Sequence, residues 1–302
     1  MQDLRRACAL VTERARYVRV QTDRIPAYAA TLPLAPPTPS APKLTTDEER
    51  ERAAAYWLTL DAINFGSGWF PTLRKPDGGS GYGTISGALE RHAARAGRWS
   101  AAELAGLDSG TIAAVLGQDP DHELMALFAH SLADLGRHVA SDYGGSFARL
   151  VDSASGSAVR LARGLGSWPC FADLQVYEEL ELPFLKRAQI AAADLERAGV
   201  ARFTDLERLT MFADNLVPHV LRLDGVLAFD PELVSRIERA ELIEPGSPEE
   251  VEIRAAAVHA VELMVAACPA ARAADVDQLL WERGQGSSYK ASPRHRCRCT
   301  AY

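Results

Sequence analysis

Apolar residues recur every three or four positions along most of this chain, which is the spacing of amphipathic helices. The first such stripe is Leu4, Cys8, Val11, Ala15 and Val18. Five prolines within residues 33–42 then predict an extended connector. We therefore expect a single domain over residues 1–302, made of an N-terminal helix with its Pro-rich connector (1–44) and a helical body (45–302).

Capping signals divide the body into helices. A capping box at Thr45 or Thr46 begins one helix, and Ser247 with Pro248 begins another that runs to about Cys268. Pro183 predicts the start of a third, which ends at Gly199. Residues 204–207 form a further capping box. Five glycines between Gly78 and Gly87 predict a turn with one short strand. With no alternating strand–helix pattern, the fold class is all-α with minor β, as a single compact multi-helix domain.

The first of these body helices ends in the segment Asp61-Ala62-Ile63-Asn64-Phe65-Gly66-Ser67-Gly68-Trp69-Phe70-Pro71. Helical spacing puts Trp57, Asp61 and Asn64 on one face, with the Phe65 and Trp69 rings just beyond. Rings beside a carboxylate and a carboxamide suit a flat ligand that forms hydrogen bonds, such as a nucleobase. The alternative is a helix end that packs its aromatic residues and is capped by Gly66.

Two later segments also carry polar groups among apolar ones. Asp214 lies in an apolar stretch four residues before Pro218, either as a helix cap or as a carboxylate placed in a pocket, with Phe212 as a stacking wall. Asp277 and Trp281 share a helix face, with Glu282 adjacent, and could bind a purine edge or an ammonium. The alternative there is a surface helix with a half-buried tryptophan.

Lys186 lies on a face of the helix predicted after Pro183 that is distinct from its core stripe. That stripe is Phe184, Ala188, Ala191 and Leu195. The face with Lys186 and Gln189 could therefore look into a cleft. The basic run Ser292–Arg298 is either a phosphate clamp or a solvated tail.

Composition excludes several classes of protein. The chain is 47% hydrophobic and 24% charged, as in ordinary globular proteins, and its net charge of −7 argues against a nucleic-acid duplex as partner. No apolar run reaches the ~20 residues of a membrane span. Arginines and Glu13 interrupt residues 1–20, so we expect no signal peptide and no membrane partner.

The cysteines predict a reducing compartment. They are five in number, at positions 8, 170, 268, 297 and 299, and do not resemble a disulfide framework. The cluster His295–Cys299 lacks a second ligand pair, and its two arginines would oppose a cation, so we expect no metal. We accordingly predict a cytoplasmic protein.

Six segments, taken together and in order, resemble the queuosine salvage family. They are DAINFGSGWFP (61–71), WPCFAD (168–173), LPFLKRAQI (182–190), LTMFADNLVPHVL (209–221), DQLLW (277–281) and the terminal HRCRCTAY. The resemblance implies a fold like that of the helix-hairpin-helix DNA glycosylases. It also implies an N-glycosidase that hydrolyses queuosine 5'-monophosphate to queuine and ribose 5-phosphate, in queuine salvage for tRNA modification.

The resemblance assigns roles to residues of this chain. Asp214 becomes the catalytic carboxylate, and Phe212, Asp277, Trp281 and Glu282 become contacts to the base, to which our own analysis adds Asn64 and Trp69. For the 5'-phosphate we expect Lys186 first, and Lys290 or Arg298 second. The chemistry requires no cofactor, no metal and no obligate protein partner.

Two other classes of function remain open. A DNA base-excision glycosylase of the same fold would need a basic face and a glycine-rich hairpin, whereas Glu196–Arg202 contains one glycine. A non-catalytic helical interaction module would have no defined pocket.

Overall fold

The computed structural model describes residues 1–33, 42–76, 79–268 and 270–302, and it confirms the all-α prediction. No helix within these ranges is both long and apolar enough to cross a membrane. The α-helices are α1 Gln2–Arg14, α2 Ile25–Thr31, α3 Asp47–Ala62, α4 Gly81–Ala96, α5 Ala101–Ala105, α6 Ser109–Leu116, α7 Glu123–Tyr143, α8 Phe147–Ser153, α9 Ala158–Gly166, α10 Lys186–Arg197, α11 Leu216–Leu223, α12 Pro231–Glu238, α13 Pro248–Ala267, α14 Ala273–Arg283 and α15 Ser287–Lys290.

The strands form two small antiparallel sheets. Strand β1 (Val18–Val20) pairs with β4 (Leu227–Phe229), and β2 (Leu174–Tyr177) forms a hairpin with β3 (Leu180–Pro183). Short 3₁₀ turns complete the regular structure at Thr22–Arg24, Phe70–Thr72, Pro169–Phe171 and Leu206–Arg208. The minor β content predicted from the sequence is therefore present. Most of the predicted proline-rich connector, residues 34–41, lies outside the described residues.

The helix starts predicted at Thr46 and Ser247 are confirmed, with a complete capping box at Thr46 and the side-chain half of one at Ser247. The Thr46 side chain accepts the N–H of Glu49, which returns a bond to the Thr46 backbone, and α3 begins at Asp47. The Ser247 side chain likewise accepts the N–H of Glu250 at the start of α13. These signals succeed because a capping box is completed within one turn of chain.

The prediction at Pro183 is wrong by three residues. Pro183 ends strand β3, and α10 begins only at Lys186, after Leu185 has turned into the left-handed region with φ +50°. The box at residues 204–207 is also wrong. Asp205 accepts the backbone N–H of Ala158 at 2.6 Å and so caps α9. Only a 3₁₀ turn, and no α-helix, follows Asp205 directly.

The strand predicted in the glycine-rich segment is absent from its described residues, 79–87, whereas the N–H of Gly79 donates to the carbonyl oxygen of Pro76 at 2.8 Å, as in a turn. Gly78 lies outside the described residues, but from Gly81 onward the chain is helix α4, capped by the Ser80 hydroxyl, which accepts the N–H of Gly83 at 2.9 Å. A Cβ at Gly81 would overlap the Phe70 ring. This glycine therefore permits close packing of the helix against Phe70.

The buried apolar residues form two large clusters. One surrounds α3, α7, α9 and the buried side of α10, and the other surrounds α1, α11 and α13. Met211 belongs to the second cluster and its neighbour Phe212 to the first, so the segment 209–215 runs between them. Helix α1 packs along α13, and the buried carboxylate of Glu252 accepts the N–H groups of residues 16–18. The N-terminal segment is thus part of the same compact domain.

A pair of glycine substitutions tests the packing of α7 against α5. At Gly136 a Cβ would lie 2.5 Å from the carbonyl oxygen of Ala101, so Gly136→Ala should lower the free energy of unfolding by about 1–3 kcal/mol. A Cβ at Gly164 in α9 would meet no atom of its described neighbours within 4 Å, so Gly164→Ala should raise it by about 0.5–1 kcal/mol. Urea titrations measure both values. Equal effects of the two substitutions would contradict this packing.

Candidate active site

A cavity of about 620 Å³ lies where α3, α10, α14 and the C-terminal segment meet. Six of the residues predicted from the sequence to form the site line it. They are Asn64, Lys186, Phe212, Asp214, Asp277 and Trp281. The fold gathers these residues although the sequence separates the first from the last by more than 200 positions.

One face of α10 lines the cavity, and it differs in part from the face predicted. Lys186, Ile190, Asp194 and Arg197 line it, at intervals of three and four residues. Gln189, which the sequence placed on the cleft side with Lys186, is instead fully buried and bonds to Thr210. Asp194 and Arg197 were missed, although their spacing from Lys186 was a usable signal.

The two alternatives weighed for Asp214 are both true. Its Oδ1 accepts the N–H groups of Leu216 at 2.9 Å and Val217 at 3.0 Å, so the carboxylate caps the first turn of α11. The side chain is also partly exposed and lines the cavity. The cap fixes the orientation of the carboxylate through one oxygen and leaves the other without a bond to the helix.

Lys186 lines the cavity together with Asp214, whose negative charge acts on its ammonium. Its side chain is buried, and Nζ donates to the carbonyl oxygen of Asn64 at 2.8 Å. Burial lowers the pKa of Lys186 to about 8, and the negative charges of Asp214, Asp61 and Asp277 partly oppose that effect. A pKa of about 8 allows Lys186 to exchange a proton slightly above neutral pH.

Asp277 and two aromatic residues form the adjoining wall. Oδ1 of Asp277 accepts the N–H of Phe212 at 2.9 Å, which joins α14 to the segment of Asp214. Burial, with the charge of Asp214 next, raises the pKa of Asp277 well above its usual range, so this acid holds a proton more readily than a free one. The Trp281 ring meets Tyr82 edge to face at 5.9 Å. The result is an apolar slot with a polar edge.

A second pair of acids lies between α3 and α10. Asp61 is fully buried, and neither of its oxygens has a hydrogen-bond partner among the described residues. Burial and the charge of Asp194 raise its pKa well above the usual range. Burial also raises the pKa of Asp194 to about 6, against the opposing charge of Arg197. Asp194 lines the cavity and Asp61, whose charge interacts with it, is not among the described lining residues, so this end of the cavity has an acidic wall with a second acid behind it.

The opposite end of the cavity is basic. Lys290, Arg294 and Arg296 line it, and Arg296 donates to the carbonyl oxygen of Ala240 at 3.1 Å. Arg294 makes no salt bridge to any residue that the structure describes, and the charge of Asp214 partly offsets the lowering of its pKa by burial. His219 lines the cavity here too, with a pKa lowered to about 4 by burial, and is neutral at pH 7.

Three of the predicted contacts are not among the described residues that line the cavity. Trp69 is buried beyond the Gly-Ser-Gly turn, where its indole N–H donates to Glu123 at 2.7 Å. Arg298 lies over that same indole, 5.7 Å from the ring centroid. Glu282 is exposed and accepts a bond from Gln278, because one residue after Trp281 a helix has turned by about 100°.

The acidic end predicts a pH dependence of stability. Because the folded-state pKa of Asp194 is about 6, above the usual 3.8, its contribution is fully present below pH 4 and is lost as pH rises through about 6. Asp194→Asn, which does not titrate, should remove a decline on the order of 1–3 kcal/mol between those limits. Urea unfolding at several pH values measures it.

Asp108→Asn is the matched control for this pH dependence. Asp108 caps α6, and the N–H of Thr111 lowers its pKa, so its stabilising contribution is lost as pH falls. The control should therefore change the pH dependence in the opposite sense. Parallel curves for wild type and Asp194→Asn would show that Asp194 does not have a raised pKa.

Comparison with known proteins shows the family of this chain. Residues 44–302 match the family described as queuosine salvage protein. A queuosine 5'-phosphate N-glycosylase/hydrolase of Sphaerobacter thermophilus is 34% identical over 97% of this chain and 95% of its own length. Proteins of the same name from Dictyostelium discoideum (32% identity, 82% of this chain and 77% of theirs) and Mus musculus (31%, 57% and 56%) are also similar. This chain therefore belongs to the queuosine salvage protein family.

Proposed function

We propose that this chain hydrolyses the N-glycosidic bond of queuosine 5'-monophosphate and releases queuine and ribose 5-phosphate. The observation that carries the proposal is that the Asp214 carboxyl and the Lys186 ammonium line one cavity and interact through their charges, and that this cavity also has an apolar slot and basic side chains. The names of the similar proteins supply the substrate. The family resemblance also implies a fold like that of the helix-hairpin-helix glycosylases, which stays a prediction.

We assign to Asp214 the role of stabilising the reacting sugar. Cleavage of the C1'–N bond builds positive charge on C1' and the ring oxygen, and a carboxylate held nearby stabilises that cation. The base departs with a proton from a donor of the protein, and a water adds its hydroxyl to C1' and gives up a proton that restores that donor. Lys186, with a pKa of about 8, is suited to be that donor. Its place beside Asp214 favours this role over the phosphate contact expected from the sequence.

We assign the base to the apolar slot. Phe212 and Trp281 would cover its faces, and Asp277 would bind its polar edge. Asn64 lines the same cavity and offers an amide beside Lys186.

The alternatives fit less well: the net charge of −7 opposes a DNA substrate, and a non-catalytic module has no need of buried acids in a cavity. The five free thiols support a cytoplasmic location as part of this proposal.

The first test is Asp214→Asn. Asparagine also caps helices, so the fold should persist, but an amide cannot neutralise the developing cation, and kcat should fall at least a hundredfold. Release of queuine from queuosine 5'-monophosphate, followed by mass spectrometry, measures it. Asp230→Asn is the matched control, because Asp230 caps α12 through a similar bond at 2.9 Å. Near-wild-type turnover by Asp214→Asn would refute the assignment.

The second test concerns the 5'-phosphate. We place it at the basic end, where Arg294→Gln should lower the ratio of kcat/KM for nucleotide over nucleoside ten- to hundredfold, since a charge-assisted contact contributes roughly 1.5–3 kcal/mol. The wild-type ratio should also shrink as ionic strength rises. Arg298→Ala, at the position that does not line the cavity, should leave the ratio unchanged. Loss of the preference in Arg298→Ala alone would instead assign the phosphate to Arg298, one of the two second candidates from the sequence.

A further inference from the structure

A fully buried ion pair connects the two residues that the proposed function places at the reacting bond. Arg254, in the middle of α13, and Asp173, which precedes β2, both have side chains that are 0% exposed. Nη2 of Arg254 donates to Oδ2 of Asp173 at 2.7 Å. Neither residue is among the described residues that line the cavity.

Each partner of this pair also holds one side of the site. Nε of Arg254 donates at 3.0 Å to the carbonyl oxygen of Ala213, the residue immediately before Asp214. Oδ2 of Asp173 accepts the backbone N–H of Lys186 at 2.9 Å. An unbroken series of hydrogen bonds therefore runs from the backbone beside Asp214, through Arg254 and Asp173, to the backbone of Lys186.

The surroundings keep this guanidinium charged and fixed. Glu250 approaches Nη1 at 3.5 Å, and the rings of Phe184 and Tyr302 lie 4.0 and 4.9 Å from the guanidinium carbon. Burial acts to lower the pKa of Arg254, but the charges of Asp173 and Glu250 outweigh it and raise that pKa above the usual value. Because it remains a cation, its removal would leave the buried acids unpaired.

The backbone on the Lys186 side is strained and depends on the same acid. Leu185 has φ +50°, a conformation that costs a non-glycine residue free energy, and its N–H donates to the carbonyl oxygen of Asp173 at 3.3 Å. Asp173 thus holds both Leu185 and Lys186, through its main chain and its side chain. This is where α10 starts, and it fixes where the Lys186 side chain emerges.

We propose that Arg254 and Asp173 are positioning residues, which set the separation of the Asp214 carboxylate and the Lys186 ammonium and do not touch substrate. The inference rests on the roles proposed above for Asp214 and Lys186. The base contacts are held by a different bond, between Asp277 and the N–H of Phe212. Disturbing the ion pair should therefore affect turnover more than binding.

Two variants test the pair by different means. Arg254→Lys keeps the charge but lacks the planar guanidinium that bonds to both Ala213 and Asp173. Asp173→Asn keeps an acceptor for the N–H of Lys186 but loses the negative charge. For each we expect kcat to fall at least tenfold with KM within about threefold. The double variant should lose little more than either single one, because both act through one interaction.

Glu252→Gln is the matched control. Glu252 lies on the same helix, two residues before Arg254, is also fully buried, and accepts backbone N–H groups, but those belong to residues 16–18. It should lower the urea midpoint as the test variants do and leave kcat within about twofold. All assays use the full chain at a temperature where each variant is folded. If one of the two test variants does not fold, the other still tests the proposal.

Crystal structures of the same variants give a readout that does not depend on turnover. The distance from Cγ of Asp214 to Nζ of Lys186 should change by about 1 Å or more in Arg254→Lys or Asp173→Asn and stay constant in Glu252→Gln. Unchanged distance and kcat in both test variants, or a loss of kcat in Glu252→Gln equal to theirs, would overturn the positioning role. A wild-type chain that releases no queuine would instead overturn the proposed function, and the distances would still decide the positioning role.

Discussion

Three cationic side chains, Lys186, Arg187 and Arg254, are buried around the first turn of α10. Burial of a charge is costly unless hydrogen bonds and opposite charges compensate it, so these cations dictate what surrounds them. Arg187 donates to the carbonyl oxygens of Ala62 and Cys170 and lies 4.9 Å from the centre of the Phe65 ring. It therefore joins the end of α3 to the turn before β2. The cavity forms where these compensating segments converge.

The acids of the cavity fit the same constraint. Asp61, Asp194, Asp214 and Asp277 all lie within electrostatic reach of Lys186 or of one another, and burial raises the pKa of three of them. Where several carboxyls share a poorly solvated region, they do not all ionise together. Asp214 differs from the others in its surroundings, because two backbone N–H groups hold one of its oxygens and its side chain is partly exposed. The site thus contains one oriented, partly exposed carboxyl group and three buried acids whose pKa values are raised.

The sequence predicts those features of the fold that are complete within one or two turns of chain. The capping boxes at Thr46 and Ser247 are local in this sense, and so is the shared face of Asp277 and Trp281. Trp69 could not be placed in this way. Its side of the Gly-Ser-Gly turn depends on the C-terminal segment, since Gly66 donates its N–H to the carbonyl oxygen of Tyr302 at 3.1 Å. The start of α10 likewise depends on Asp173, thirteen residues earlier.

Asp214 shows why a structural and a chemical interpretation of one residue need not compete. A cap at the N-terminus of α11 requires a side-chain oxygen there, and the positive end of the helix favours a charged one. A carboxylate has two oxygens, and the cap uses Oδ1 alone. The helix therefore supplies the orientation that a catalytic group needs, while the second oxygen remains for the cavity. From the sequence the two roles appeared as alternatives because each explains the same carboxylate. The structure is compatible with both, because the cap uses one oxygen atom and leaves the other to the cavity.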